Sequence, residues 1–244
     1  MNSKVALITG GAKGIGRAVA LDLAARDWSV AICYRTSARE ADEVIDGVKQ
    51  HGSSGLALQC DFSKAEAAVA LVERVHQEFG RIDALINGAG LYHRVSLLQE
   101  TNAGWHDMFD NNLHPVFYLT RAVLPIMKTQ KWGRIVSFSM ANAEQLIAQP
   151  QLTAHYITKV GLLALSRSFA KLIAPDGITM NCISPGFIDS GSAPKEELDR
   201  MVKMIPAGYV GSVDDAVAAV RYLLSDEARY VNGANIQLSG AWGV

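Results

Sequence analysis

The residues with the clearest chemical potential lie near the start of the chain. Thr9-Gly10-Gly11-Ala12-Lys13-Gly14-Ile15-Gly16 follows a short apolar run, Lys4–Thr9, and opens a helical segment, Gly14–Arg26. Glycines let the backbone turn tightly and approach a pyrophosphate, while a helix N-terminus offers free N–H groups and a positive dipole end. Gly10, Lys13, Gly14, Ile15 and Gly16 are therefore candidate cofactor-binding residues. The strand–turn–helix context argues against an ordinary tight turn. In such a site the end of the second strand usually places an Asp or Glu on the ribose 2′-hydroxyl. Here that place reads Tyr34-Arg35-Thr36-Ser37. Arg35 can fork onto a 2′-phosphate, the Thr36 and Ser37 hydroxyls can assist, and Lys13 adds a second positive charge. NADP(H) is therefore the expected cofactor.

Short β-type runs alternate with longer helical ones around these residues. Lys4–Thr9, Ser29–Tyr34, Gly55–Cys60, Ile82–Ile86, Arg134–Ser139, Ile178–Ile183 and Asn235–Leu238 read as strands. Helical segments lie between them: Gly14–Arg26, Ala38–His51, Lys64–Phe79, around Gly104–Lys128, His155–Ala174 and Val213–Leu224. In Lys64–Phe79, for example, Val69, Val72, Val75 and Phe79 recur at helical spacing, and Gly80 ends the run. Strand–helix alternation with short connections implies an α/β fold: one doubly wound domain over residues 1–244, a parallel seven-stranded sheet with helices on both faces. The one loose region is Asp189–Pro206, rich in Ser, Gly, Pro and charge. It follows the carboxyl end of a strand, where a lid over a ligand would sit.

Composition narrows the function classes. The chain has 244 residues, 49% hydrophobic, with 23 basic against 24 acidic side chains and a formal net charge of -1, so neither nucleic acid nor an anionic membrane is an expected partner. Cys33, Cys60 and Cys182 are too few and too scattered for a disulfide framework or a zinc site, and His51, His76, His106 and His114 have no partner at metal-ligand spacing. No metal site is expected. The apolar run after the N-terminal MNSK is too short for a signal-peptide core, and no stretch approaches the roughly 20 apolar residues of a membrane span. The expectation is a soluble cytoplasmic protein.

Over essentially its whole length the sequence resembles the short-chain dehydrogenase/reductase family. The likeness rests on the glycine string Thr9–Gly16, on Asn87-Gly88-Ala89-Gly90, on Asp61 after the third strand, and on Pro185-Gly186-Phe187-Ile188 after the sixth. It is nearest in look to the ketoacyl-acyl-carrier-protein reductase and pteridine reductase branches. The resemblance implies that Asp61 and Phe62 border the adenine. It also implies that Asn87, Ala89, Gly90, Pro185, Gly186 and Ile188 serve the nicotinamide half, and that Lys159 binds the nicotinamide ribose. The family's members move hydride between nicotinamide and a carbonyl or alcohol carbon, with a Ser–Tyr–Lys–Asn set handling the proton.

That set is altered here. Asn112 and Lys159 match the family's Asn and Lys, but the position four residues before Lys159 holds His155, and Tyr156 stands only three before it. A step of four turns a helix about 40° past one full turn and a step of three falls about 60° short, so the two side chains lie on different sides of Lys159. The family's serine position falls on Met140, with Ser137 and Ser139 before it. A bulge in the long segment between Met140 and Lys159 could re-present Ser139.

Two functions follow. One is an active reductase with a rebuilt proton donor, Tyr156 or His155, acting on a ketone or 3-ketoacyl thioester. The other is an NADP(H)-binding protein that has lost the chemistry and serves as a sensor, structural or partner-binding module. Lys159 disfavours an imidazolium at His155, so Tyr156 is the favoured donor. Pro115 cannot bond the carbonyl of Asn111, so the helix around Asn112 must loosen. Tyr92 and His93 follow the fourth strand and either line the substrate pocket or anchor a loop. Lys131 and Lys171 stand about where the resemblance puts docking residues for an acyl carrier. The resemblance also implies a homo-tetramer or homo-dimer, with the apolar tail Ile236–Val244 between subunits.

Overall fold

The structure, a computed structural model, describes residues 3–191 and 194–243. Its first half runs β1 (Val5–Thr9), α1 (Gly14–Ala24), β2 (Ser29–Tyr34), α2 (Ala38–Gln50), β3 (Gly55–Gln59), α3 (Ala65–Phe79) and β4 (Ala84–Asn87). The second half runs α4 (Asn102–Asn112), α5 (His114–Gln130), β5 (Gly133–Phe138), α6 (Thr153–Ile173), β6 (Ile178–Pro185), β7 (Ile188–Asp189), α7 (Lys195–Val202), β8 (Gly211–Ser212), α8 (Val213–Leu224) and β9 (Asn235–Leu238).

Seven strands form one parallel sheet, as the alternation of elements predicts, and their order is β3-β2-β1-β4-β5-β6-β9. The chain winds outward from β1 to β3, then crosses back to β4 on the other side. The switch point therefore lies between β1 and β4, where a crevice opens beyond the carboxyl ends of the strands. Alternate residues of each strand enter opposite cores. Ala6 and Ile8 pack with Val19, Ala20, Val217 and Val220 of α1 and α8. Val5 and Leu7 pack with Val72, Leu119, Val123 and Leu162 of α3, α5 and α6. All five residues of β1 are buried, as a central strand covered on both faces requires.

Three local features depart from the sequence reading. The segment Asp189–Pro206 is not one loop: it starts on the last residue of β7, which pairs with β8 beyond the segment, and contains the helix α7. The expected helix around Gly104–Lys128 is two helices broken at Leu113, because Pro115 has no N–H to continue the ladder. The strand read as Ile178–Ile183 extends to Pro185, with Ser184 and Pro185 still in register with Gln237 and Leu238. Ser192 and Ala193, inside the expected lid, and Val244, at the end of the expected subunit-facing tail, lie outside the described residues.

Candidate active site

At the switch point lies a cleft of about 290 Å³. Its lining includes Gly10, Lys13, Arg35 and Thr36, from the glycine string and the end of β2, and Phe62, Ala89 and Gly90, which the resemblance puts beside the cofactor. Cys33, Tyr34, Cys60, Leu91 and Asn111 line it as well, without having been singled out. Leu91 could have been found, since it directly follows the Asn87–Gly90 motif.

The glycine loop is shaped by close backbone approach. Gly10 takes a φ of +66°, and a Cβ there would stand 3.0 Å from the Ala89 backbone; at Gly16 it would stand 2.4 Å from the Gly10 carbonyl oxygen. Thr9 Oγ1 accepts from the N–H groups of Gly88 and Ala89, both at 3.0 Å, so the turns after β1 and β4 are tied together. Lys13 precedes α1 without capping it by its side chain, and Ser37 precedes α2 in the same way. The N–H groups at the start of α1 and the Ser37 hydroxyl are left for an anion. A dinucleotide with a 2′-phosphate fits this cradle.

The two cations differ. Lys13 Nζ lies 2.9 Å from Glu40, whose carboxyl it holds below the usual carboxylate range, so its charge is already met. Arg35 donates to Asn111 Oδ1 at 3.1 Å and has no acidic partner among the described residues. Asp61 accepts from the Ser63 N–H at 3.1 Å and borders the adjoining cleft, with Leu58, Gln59 and Arg74, while its neighbours Cys60 and Phe62 reach the main one. Asn87 donates to Ser137 Oγ at 3.1 Å, and its Oδ1 is buried with no partner among the described residues. Pro185, Gly186 and Ile188 sit at the same sheet edge but not in the lining of the main cleft. Gly186 packs on Ser239, the Pro185 carbonyl holds the Ala141 N–H at 2.9 Å, and Ile188 pairs with Gly211.

The catalytic half is built from β5, α6 and the loop after β4. Lys159 is buried on α6; its Nζ donates to the Phe138 carbonyl at 2.9 Å, and burial pulls its pKa from 10.5 down to about 8. Asn112 ends α4, donating to the carbonyls of Met108 (2.9 Å) and Leu91 (3.1 Å). Its Oδ1 is buried, unpartnered among the described residues, and faces Gly90: a Cβ on Gly90 would stand 2.6 Å from that oxygen and 3.6 Å from Lys159 Nζ. Gly90, Asn112 and Lys159 thus form one cluster.

The proton-donor candidates separate. Tyr156, the favoured one, is not aimed at this cluster. Its hydroxyl donates to the Asn142 carbonyl at 3.0 Å and accepts from the Ile147 N–H at 3.1 Å, stapling the loop that follows β5. Asn142 and Leu146 in that loop hold φ values of +62° and +52°, so the staple maintains an unusual backbone. Ser139 is likewise engaged, its hydroxyl donating to the Lys159 carbonyl at 2.8 Å. A step of three rather than four residues accounts for Tyr156: it rotates the ring off the face that carries Lys159.

His155 remains in the slot four residues before Lys159. Its Nδ1 lies 3.0 Å from the Leu91 carbonyl, and Tyr92 stands edge-on to its ring with centroids 5.1 Å apart. Burial, then the Lys159 charge, lower its pKa to about 4, with the Leu91 bond opposing and His93 adding to the fall. His155 is therefore neutral at pH 7 and cannot supply an acidic proton there. His93 does not reach it as a partner; it pairs with Glu100 at 2.7 Å and anchors the loop. Lys131 and Lys171 lie near the C-terminal ends of α5 and α6.

The family profile described as enoyl-(acyl carrier protein) reductase matches residues 10–241. The chain is 34% identical over 241 residues to the 3-oxoacyl-[acyl-carrier-protein] reductase of Staphylococcus aureus, covering 98% of this chain and 97% of that one. It is 33% identical over 248 residues to the same-named enzyme of Pseudomonas aeruginosa. Among solved structures, a short chain dehydrogenase from Burkholderia cenocepacia in complex with NADP superposes with a TM-score of 0.91 at 30% identity, over 99% of this chain and 98% of that one.

Proposed function

The chain belongs to the short-chain dehydrogenase/reductase family, and from that premise we propose that it is an NADP(H)-dependent oxidoreductase acting on a carbonyl substrate of the ketone or 3-ketoacyl thioester class. The observation that carries this reading is the Gly90–Asn112–Lys159 cluster at the rim of a cleft shaped for a dinucleotide.

Gly10, Gly14, Ile15 and Gly16 hold the pyrophosphate on the N-terminus of α1. Arg35 and Thr36, with Lys13 behind them, take the 2′-phosphate; Asp61 and Phe62 border the adenine. Asn87, Ala89, Gly90, Pro185, Gly186 and Ile188 flank the nicotinamide half. The reduced nicotinamide, when bound, supplies the hydride. Lys159 holds the ribose and keeps a proton on Nζ, and a pKa near 8 suits it to release that proton near neutral pH. Asn112 Oδ1, free of other bonds, orients the water through which the proton moves. The segment around 189–206, carrying α7, covers the substrate side; a Cβ on Gly14 would lie 3.7 Å from Ser190, so the segment already touches the glycine loop.

A homo-dimer or homo-tetramer is part of the same reading, supported by the exposed Phe117, Leu172 and Tyr230. So is a cytoplasmic location, which fits three free cysteines and the absence, among the described residues, of any helix long and apolar enough to cross a membrane. A titration with NADPH and NADH, paired with an NADPH-oxidation screen over ketones and 3-ketoacyl thioesters, tests the reading. NADPH should bind more tightly and at least one carbonyl class should turn over. Tight binding with no turnover would select the binding-module alternative, which the engaged hydroxyls of Tyr156 and Ser139 favour.

A further inference from the structure

We infer that His155 is the hydrogen-bond acceptor of the substrate pocket, and that it selects carbonyl substrates bearing an O–H or N–H donor on the carbon beside the carbonyl. This rests on the reductase reading and narrows its substrate.

Three observations converge on it. First, a backbone carbonyl can only accept, so the 3.0 Å contact with Leu91 makes Nδ1 the protonated ring nitrogen. Neutral His155 then carries a lone pair on Nε2. Second, turning the ring over would give up the Nδ1–Leu91 bond, which favours this orientation. Third, Nε2 has no hydrogen-bond partner among the described residues and is not fully enclosed.

The consequence is a reversal of polarity. A ketone oxygen brought to this slot would set its lone pairs against that of Nε2, and both groups would lose hydration without gaining a bond. A hydroxyl or amide N–H at the same place would gain one. The carbonyl carbon then lies two bonds from the donor atom, with its oxygen directed elsewhere. On reduction the carbonyl carbon gains the hydride and the oxygen takes the π pair; the alkoxide takes the proton held on Lys159 Nζ, which solvent restores. His155 touches the substrate but gives and receives no proton.

The test compares three substrates of matched chain length: a plain ketone, its α-hydroxy ketone and its α-acylamino ketone. Each is assayed for NADPH oxidation with the wild type, His155→Phe and His155→Gln. Expected is a kcat/KM at least about 10-fold higher for one or both donor-bearing substrates, the worth of one hydrogen bond. The two arms tell an O–H preference from an N–H preference. In His155→Phe the ratio should fall toward one, and His155→Gln, which keeps an acceptor, should retain part of it. Nitrogen NMR of the labelled wild type should show Nδ1 protonated and Nε2 bare from pH 6 to 8, a readout independent of how the variants fold. Equal rates on all three substrates, or a ratio that survives His155→Phe, would overturn the inference and leave the reductase reading standing. A protonated Nε2 overturns it in the same way. NADPH binding without turnover of any of the three overturns both.

Discussion

The half of the site built on β1, α1 and β2 and the half built on β5 and α6 are held by different means. In the first, shape comes from backbone: Gly10 against Ala89, Gly16 against Gly10, and the turns after β1 and β4 joined through Thr9. Groups that could meet an anion, such as the N–H groups of α1 and the Ser37 hydroxyl, are not consumed by capping side chains. In the second half the side chains that could move a proton are spent on the fold. Tyr156 staples the Asn142–Ile147 loop, Ser139 holds the Lys159 carbonyl, and His155 is bound to Leu91. Burial lowers the Lys159 pKa to about 8, which brings its proton within reach of neutral pH.

Removing Lys159 should therefore have the largest effect. Lys159→Met should lower turnover by roughly 10²–10⁴-fold, the usual worth of a positioned acid. The same variant changes stability with a definite sign. Lys159 titrates near 8 in the folded protein against an ordinary value of 10.5. Between those values the unfolded chain binds more protons, so the wild type should gain stability as pH rises from about 8 to 10.5. Thermal melts across that window should show the slope in the wild type and lose it in Lys159→Met. A slope unchanged by the substitution would mean that another group carries it.

Restoring the family's pattern is the converse experiment. His155→Tyr with Met140→Ser should raise reduction of a plain ketone on the order of 10²-fold, because a phenol beside Lys159 supplies an acid where His155 offers an acceptor. No gain would show that the geometry around Leu91 and Tyr92, not the missing acid, limits the reaction.

In the other half, Arg35→Asp should weaken NADPH binding roughly 10–100-fold, the worth of a charge-assisted contact, and erase or reverse the preference over NADH. Lys13→Ala should matter less, because Glu40 already neutralises Lys13. Equal losses from both would contradict the difference drawn between the two cations.

The smallest effect on rate is expected at Tyr156. Tyr156→Phe should change turnover by less than about 3-fold, yet lower stability by about 1–3 kcal/mol, because the Asn142 carbonyl and the Ile147 N–H lose their partner. Calorimetry beside a turnover assay separates the two. A large loss of rate with no loss of stability would return Tyr156 to the role of donor.

The two halves also differ in how much could be read from the chain alone. The seven strands, their parallel direction and the glycine cradle follow from period and composition. Val5–Ile8 is continuously apolar because both of its faces are covered, and Gly10 and Gly16 stand where only glycine fits. These constraints act within a few residues, so their signature is local. Arg35 at the end of β2 is legible for the same reason. What the sequence could not decide was which way each polar side chain spends its hydrogen bonds. Whether Tyr156 faces Lys159 or the Asn142–Ile147 loop depends on backbone that closes against it from across the site. Whether His155 donates or accepts depends on Leu91, 64 residues away along the chain. That Lys13 is neutralised while Arg35 is not depends on Glu40 and Asn111, held on α2 and α4. Spacing places a residue on a face; only the packing of distant segments settles its partner, its protonation and hence its chemistry.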